Sequence, residues 1–222
     1  MNQKNTPAMF VHSILDGSEK TGTVDITIAD SVGHNETFML SSGEWKRLNK
    51  ITPVTPLTEV DEDLYDRLKN AAERTITVRE AAAILTNGDK SASAILRKLK
   101  QKGRSQEAAE YAVELLKKRG YLNETDACRR IAESLVRSKH YGRRRIRDYL
   151  ISHGYDAKTA EDAVLEISGE DIRDALTYHL TRKFRGYLQM PMDERRKATA
   201  ALMRLGFTFQ EIRDAAHDPK QN

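Results

Sequence analysis

The chain has 222 residues, 32% of them charged, a mean hydropathy of -0.65 and a formal net charge of +4. One cysteine, Cys128, excludes a disulfide framework, and no run approaches the ~18–20 apolar residues of a membrane-spanning helix. Residues 1–6 are polar with no apolar stretch behind them, so no secretory leader is predicted and a soluble, cytoplasmic protein is expected.

Residues 1–60 read as a small β-rich segment and a linker. Phe10–Leu15, Thr23–Ile28 and Thr37–Leu40 are short apolar or alternating runs separated by Asp16-Gly17 and Val32-Gly-His-Asn, which predicts a three-stranded meander. Ser41 and Glu44 have capping-box spacing at the start of a helical turn holding Trp45 and Leu48. Asn49–Thr58, with Pro53 and Pro56, is predicted to be the linker.

From Asp61 the pattern is helical. Helices are predicted over Asp61–Ala72, Thr77–Leu85, Ser91–Lys102 and Ser105–Arg119, with the last two closed by Gly103 and Gly120. Asn123 can cap the next helix, in which Cys128, Ile131, Ala132 and Leu135 share one face; Cys128 therefore reads as a small core residue. Gly142 interrupts, Ile146, Tyr149 and Leu150 face inward on a second helix that Gly154 stops, and Asp156 can cap a third ending near Ile167. Ser168-Gly169 breaks the chain; helices follow over Asp171–Arg185, up to Gly206, and over Thr208–His217, with Pro219 ending the ordered chain.

The glycines Gly103, Gly154 and Gly206 are 51 and 52 residues apart. Leu99, Leu150 and Leu202 precede them by four residues, and Ala112, Ala163 and Ala215 follow by nine. This self-similarity predicts one three-helix unit used three times, over 61–122, 123–168 and 169–218. The expected fold is mainly α: tandem three-helix repeats forming an elongated curved array behind the β-rich segment.

Charge singles out the central unit. Arg137, Lys139, Arg143, Arg144, Arg145 and Arg147 precede the first acid, Asp148. Arg143, Arg144 and Arg145 open a helix, where the helix dipole disfavours cations by a few tenths to ~1 kcal/mol each, so local folding energetics do not select them. On a helical wheel Arg143, Arg144 and Arg147 share a sector, and Arg145 points elsewhere. A solvated basic face is the plain explanation; a surface for a polyanion or an acidic protein is the functional one. Tyr141 and Tyr155 flank the cluster and could stack on bases, whereas Tyr149 reads as core. His140 and His153 read as solvated caps.

No constellation supports catalysis. Gly88-Asp-Lys-Ser91 lacks the first glycine and the preceding strand of a phosphate-binding loop, and no His-Glu-x-x-His or cysteine pair is present. No catalytic residue, metal or cofactor is expected.

The run Arg-Gly-Tyr-Leu-Asn-Glu (119–124), then Arg137, then Tyr-Gly-Arg-Arg-Arg-Ile-Arg-Asp-Tyr-Leu with His-Gly-Tyr-Asp (141–156), resembles the bacterial RecX regulatory family, best over 90–168. The resemblance implies tandem modules arranged as a crescent, a non-enzymatic partner of the RecA recombinase that lies in the groove of its filament on DNA, and slowed ATP hydrolysis and strand exchange in recombination and repair. By motif, Arg137, Arg144 and Arg147 match the family; together with Lys139, Tyr141 and Arg143 of the basic cluster they are the expected partner or DNA contacts. Scattered cations on an open surface predict weak, sequence-tolerant binding to single- or double-stranded DNA by a chain expected to be monomeric. The chain departs from the family at Asn87-Gly88-Asp89-Lys90-Ser91, where a basic-Pro-Arg-Ser approach is common. The alternative is a helical DNA-binding protein of helix-turn-helix type. Asp156, Glu161, Asp162 and Glu166 against Lys158 on the third helix of the central unit argue against that use.

Overall fold

The structure, a computed structural model, describes residues 8–17 and 19–217. The polar residues 1–6 and Pro219 lie outside the described residues. Strands β1 (Met9–Gly17), β2 (Thr23–Asp30) and β3 (Asn35–Ser41) lead into α1 (Ser42–Ile51), a short β4 (Glu59–Val60) and α2 (Glu62–Leu85). Then come α3 (Ala92–Gln101), α4 (Gln106–Lys118), α5 (Glu124–Lys139), α6 (Arg143–Ser152), α7 (Ala157–Leu165), α8 (Gly169–Arg182), a 3-10 turn (Tyr187–Gln189), α9 (Met192–Arg204) and α10 (Phe209–Ala216). The fold is mainly α with a small antiparallel sheet at its amino-terminal end, as the hydrophobic periods predict. Contacts divide the chain into two compact units, Met1–Thr86 with Leu96–Arg119, and Asn87–Ile95 with Gly120–Asn222.

In the first unit the sheet order is β3-β2-β1-β4, all antiparallel. Val24, Ile26 and Ile28 alternate inward on β2 and form a core with Val11, Phe38 and Leu40 of the sheet, Leu48 of α1, and Leu64, Leu68 and Ala71 of α2. The segment predicted as a linker is partly structural. Val54 is buried, Leu57 N donates to Val11 O at 2.8 Å, and Val11 N donates to Thr58 O at 2.9 Å. These bonds carry the chain into β4, which pairs with Met9 and Phe10. The edge of β1 needs partners for its peptide groups, and the apolar Val54 and Val60 are drawn to the same core.

The two helices predicted over 61–72 and 77–85 are one continuous α2. The β-branched residues between them cost only tenths of a kcal/mol each in a helix, and tertiary contacts outweigh that. Thr75 Oγ1 donates to Ala71 O (2.9 Å) while accepting from Ser41 N (2.8 Å), and Thr77 Oγ1 donates to Glu73 O (2.7 Å). Both threonines are buried.

Glu44 is the polar centre of this unit. Ser41 Oγ accepts from Glu44 N at 3.2 Å, so the cap forms, but the Glu44 carboxylate leaves the capping box. It accepts from Arg74 Nε and Nη2 (3.1 and 2.8 Å), Arg47 Nη1 (3.2 Å) and Tyr111 Oη (2.7 Å). Burial, and then the bond to Glu44, push the Tyr111 hydroxyl above its ordinary pKa. The Glu44 side chain is 3% exposed, and this set of donors is what a buried carboxylate requires.

The second unit is built on small residues. Ala127, Cys128, Ala132 and Val136 of α5 pack with Ala160, Ala163 and Val164 of α7, while α6, α8, α9 and α10 add Ile146, Leu150, Ile172, Leu176, Leu202 and Ile212. The predicted caps form: Asn123 Oδ1 accepts from Asp126 N (3.2 Å) and Asp156 Oδ1 from Thr159 N (2.9 Å). Cys128 is fully buried, and burial pushes its thiol up to about 12. Tyr155, predicted as a possible stacking face, is buried among the same side chains, with its hydroxyl turned inward and unpartnered.

Candidate functional site

The start of α6 has no side-chain cap, because its cap position is Gly142. Its amide donors are met instead by the carboxy-terminal end of α9. Gly142 N donates to Leu205 O (2.8 Å) and Arg144 N to Gly206 O (3.2 Å). The negative end of one helix thus meets the positive end of another. The approach requires glycine on both sides: a Cβ on Gly142 would strike the Gly206 carbonyl, and one on Gly206, whose φ is +97°, would strike Arg145 N.

A similar joint occurs earlier in the chain, with different chemistry. Ser91 Oγ donates to His153 O and Ser93 Oγ to Gly154 O, both at 2.8 Å. Ser91 and Ser93 precede Gly142 and Arg144 by 51 residues, and His153 and Gly154 precede Leu205 and Gly206 by 52. In both joints a glycine-terminated helix end seats on the start of an earlier helix, α9 on α6 and α6 on α3.

This joint explains arginines that helix electrostatics alone disfavours. Arg143 Nη2 donates to Ile167 O (2.6 Å), its Nε to Val164 O (3.1 Å) and its Nη1 to Glu211 Oε1 (3.1 Å). It therefore ties the end of α7 to α10. Arg145 Nη1 donates to Arg204 O (3.2 Å), and its guanidinium lies 4.6 Å from the Tyr141 ring centroid. Arg147 Nε lies 2.6 Å from Glu161 Oε2, an ionic contact rather than a well-directed hydrogen bond, and its Nη1 lies 3.5 Å from Asp148. Two converging helix ends, together with Glu211 and Glu161, supply the negative charge that the first turn of α6 lacks.

The sector expected to hold Arg143, Arg144 and Arg147 is divided. Arg143 and Arg147 turn toward α7 and α10. Arg144 instead joins Arg145, Lys139, Tyr141 and Arg204 around a recess of about 850 Å³ between α6 and the end of α9, with Tyr149 and Met203 completing the wall. Asp148 is the one carboxylate in that lining among the described residues. Arg144 and Lys139 are exposed and have no carboxylate partner among the described residues. Arg137 is exposed on α5, 3.9 Å from Asp171, and does not line the recess.

Tyr149, read from sequence as core, is half-buried, lines the recess and stacks on His153 at 3.8 Å between centroids. His140 takes the left-handed cap position after α5 with φ +52° and stacks on Tyr178 at 3.7 Å. Burial, with His179 and Arg182 nearby, holds His140 below its ordinary pKa, so it adds little charge near neutral pH. Arg145, Tyr149 and Arg204 were not singled out as site residues by sequence. The Gly154–Gly206 equivalence carried the signal for Arg204, since it aligns the end of α9 with a joint.

The recess sets exposed cations beside aromatic rings, a combination suited to an anion. No group of three His, Cys, Asp or Glu among the described residues could hold a metal ion, and no described helix is long and apolar enough to cross a membrane.

No family model matches the chain. It is 32% identical over 165 residues to the regulatory protein RecX of Stenotrophomonas maltophilia strain K279a, covering 71% of this chain and 96% of that relative. It is 33% identical over 139 residues to the regulatory protein RecX of Xanthomonas campestris pv. campestris strain B100, covering 61% and 83%. Among solved structures, a crystal structure of regulatory protein RecX superposes with a TM-score of 0.73 at 18% identity, over 93% of this chain and 99% of the other. RecX from Lactobacillus salivarius superposes with a TM-score of 0.61 at 15% identity, over 66% and 96%. At those identities the structures bear on the fold.

Proposed function

This chain belongs to the RecX regulatory protein family, and we propose that it acts without catalysis, by binding the RecA recombinase filament on DNA and slowing its ATP hydrolysis and strand exchange. Its three helical modules over 61–122, 123–168 and 169–218 serve as a scaffold, and the recess beside α6 serves as a contact face for filament acids or DNA phosphates. The observation that carries this reading is the separation of the arginines. Arg143 and Arg147 are bound to carbonyls or carboxylates of their own unit, whereas Arg144 and Lys139 are exposed at the recess with no carboxylate partner among the described residues. A free guanidinium beside Tyr141 and Tyr149 suits a phosphate or carboxylate with an aromatic wall. Arg137 adds charge on the neighbouring helix.

Direct DNA binding by the same cations is weak, salt-sensitive and sequence-tolerant, because such contacts are to phosphates. The test is RecA ATP hydrolysis on single-stranded DNA, titrated with the parent chain and with Arg144→Ala and Lys139→Ala. Each variant requires roughly three- to tenfold more protein for the same inhibition, the usual scale for an exposed charge at an interface. Unchanged inhibition by both variants together removes the recess from the mechanism. Absence of inhibition by the parent removes the recombinase reading itself.

A further inference from the structure

We propose that the groove between α9 and α10 is a docking site for an acidic amphipathic helix of a protein partner. The groove encloses about 660 Å³. Its floor carries Leu188, Met192, Met203 and Phe209, with Met192 70% and Phe209 59% exposed. The core does not need these four, because α9 and α10 face it with Ala198, Leu202, Ile212 and Ala215. One wall is fixed by the Tyr187 hydroxyl, 2.7 Å from Thr199 Oγ1.

The chemistry of the groove selects its occupant. Contiguous exposed apolar side chains mark an interaction surface rather than a solvated face, and methionines adapt to a partner's side chains. Both walls are helices whose peptide groups are bonded internally, so no strand edge is offered to an extended peptide. A helix presenting apolar side chains at three- and four-residue spacing fits such a cleft. Charge then sets the sign. Arg195, Arg196 and Arg213 stand around the floor, and no carboxylate lines it among the described residues. Arg196 is exposed and has no ion pair among the described residues, so a partner with acids flanking its apolar stripe complements the rim. Four apolar side chains in the floor give a polynucleotide backbone little to bind. The site is distinct from the recess at α6, with which it shares Met203, and the proposal goes beyond the recombinase reading.

The test uses the isotope-labelled full chain and a synthetic helical peptide about five turns long, with Leu at three- and four-residue spacing and Glu on its flanks; a twin carries Lys in place of Glu. The Glu peptide shifts amides between Tyr187 and His217 and binds at least about tenfold tighter than the Lys twin. Phe209→Asp weakens it roughly 30-fold, the loss expected for an aromatic anchor. Arg196→Glu weakens the Glu peptide and strengthens the Lys twin, which a folding defect cannot do. Equal binding of the twins, shifts centred on the α6 recess, or indifference to Phe209→Asp overturns the proposal. So does a dimer of the free chain that Phe209→Asp abolishes, which assigns the groove to a second copy. Tighter binding of a single-stranded oligonucleotide to the same amides also overturns it, as does roughly tenfold tighter peptide binding once residues 218–222 are deleted, which makes the chain's own end the occupant.

Discussion

Two arginine clusters in this protein use the same side chain in opposite ways. In the amino-terminal unit Arg47 and Arg74 converge on one buried carboxylate, Glu44, with Tyr111 beneath both guanidiniums at 5.5 and 5.6 Å. There both guanidiniums are held in place against a carboxylate. At the start of α6 the neighbours of Arg144 are satisfied by carbonyls of α7 and α9 and by Glu211 and Glu161, and Arg144 itself is left to solvent. The lesson is that arginine density alone does not mark a binding face. At α6 the fold has claimed Arg143, Arg145 and Arg147 and left Arg144 exposed at the recess.

The largest loss of stability is expected at Glu44. Glu44→Ala leaves Arg74 and Tyr111 without their acceptor and costs about 3 kcal/mol, the lower end for a broken buried pair because Arg74 retains some solvent contact. Chemical denaturation reads this directly, and a loss below about 1 kcal/mol would mean that the network does not stabilise the unit. Next is the joint that frees Arg144. Gly206→Ala forces a side chain onto a left-handed backbone against Arg145 N and costs about 2–4 kcal/mol. Gly154→Ala at the earlier joint meets Ser93 Oγ rather than backbone. It keeps the left-handed penalty, but a serine can rotate away, so it costs about 1–2 kcal/mol. Equal losses at the two glycines would contradict the difference between the joints.

Arg143→Ala removes three charge-assisted bonds from a half-buried side chain and costs about 1.5–3 kcal/mol. Arg144→Ala, its immediate neighbour, changes stability by no more than about 0.5 kcal/mol. A thermal melt of the two variants side by side sharpens the contrast between a structural and a free arginine. Similar melting temperatures for both would erase it. The smallest expected effect is chemical. With its thiol pushed up to about 12, Cys128 stays protonated at pH 8 and reacts with a thiol reagent only as the unit opens. Denaturant that unfolds the chain restores ordinary reactivity.

Much of this molecule is written in local pattern. The period-two run Thr23–Ile28 and the caps at Ser105, Asn123, Asp156 and Thr208 act between residues a few positions apart, so the sequence alone determines them. Gly103, Gly154 and Gly206 likewise favour left-handed helix ends locally, because glycine takes a positive φ without the Cβ strain that a residue such as His140 carries. Tertiary structure decided what depends on partners far along the chain. It extended the helix through Thr75 because Ser41, 34 residues away, donates to that threonine. It drew Glu44 out of its capping box to Arg74, and bonded Leu57 and Thr58 of the predicted linker to Val11, which carries the chain into β4. It also divided the arginines, which a helical wheel cannot do. A wheel gives the direction in which a side chain leaves its own helix, whereas the carbonyls of Val164, Ile167 and Arg204 that capture Arg143 and Arg145 arrive from helices 21 to 59 residues away. The free charge on Arg144 is therefore a property of the assembled unit: hydrogen-bond acceptors at two helix ends bind its neighbours and leave it exposed at the recess.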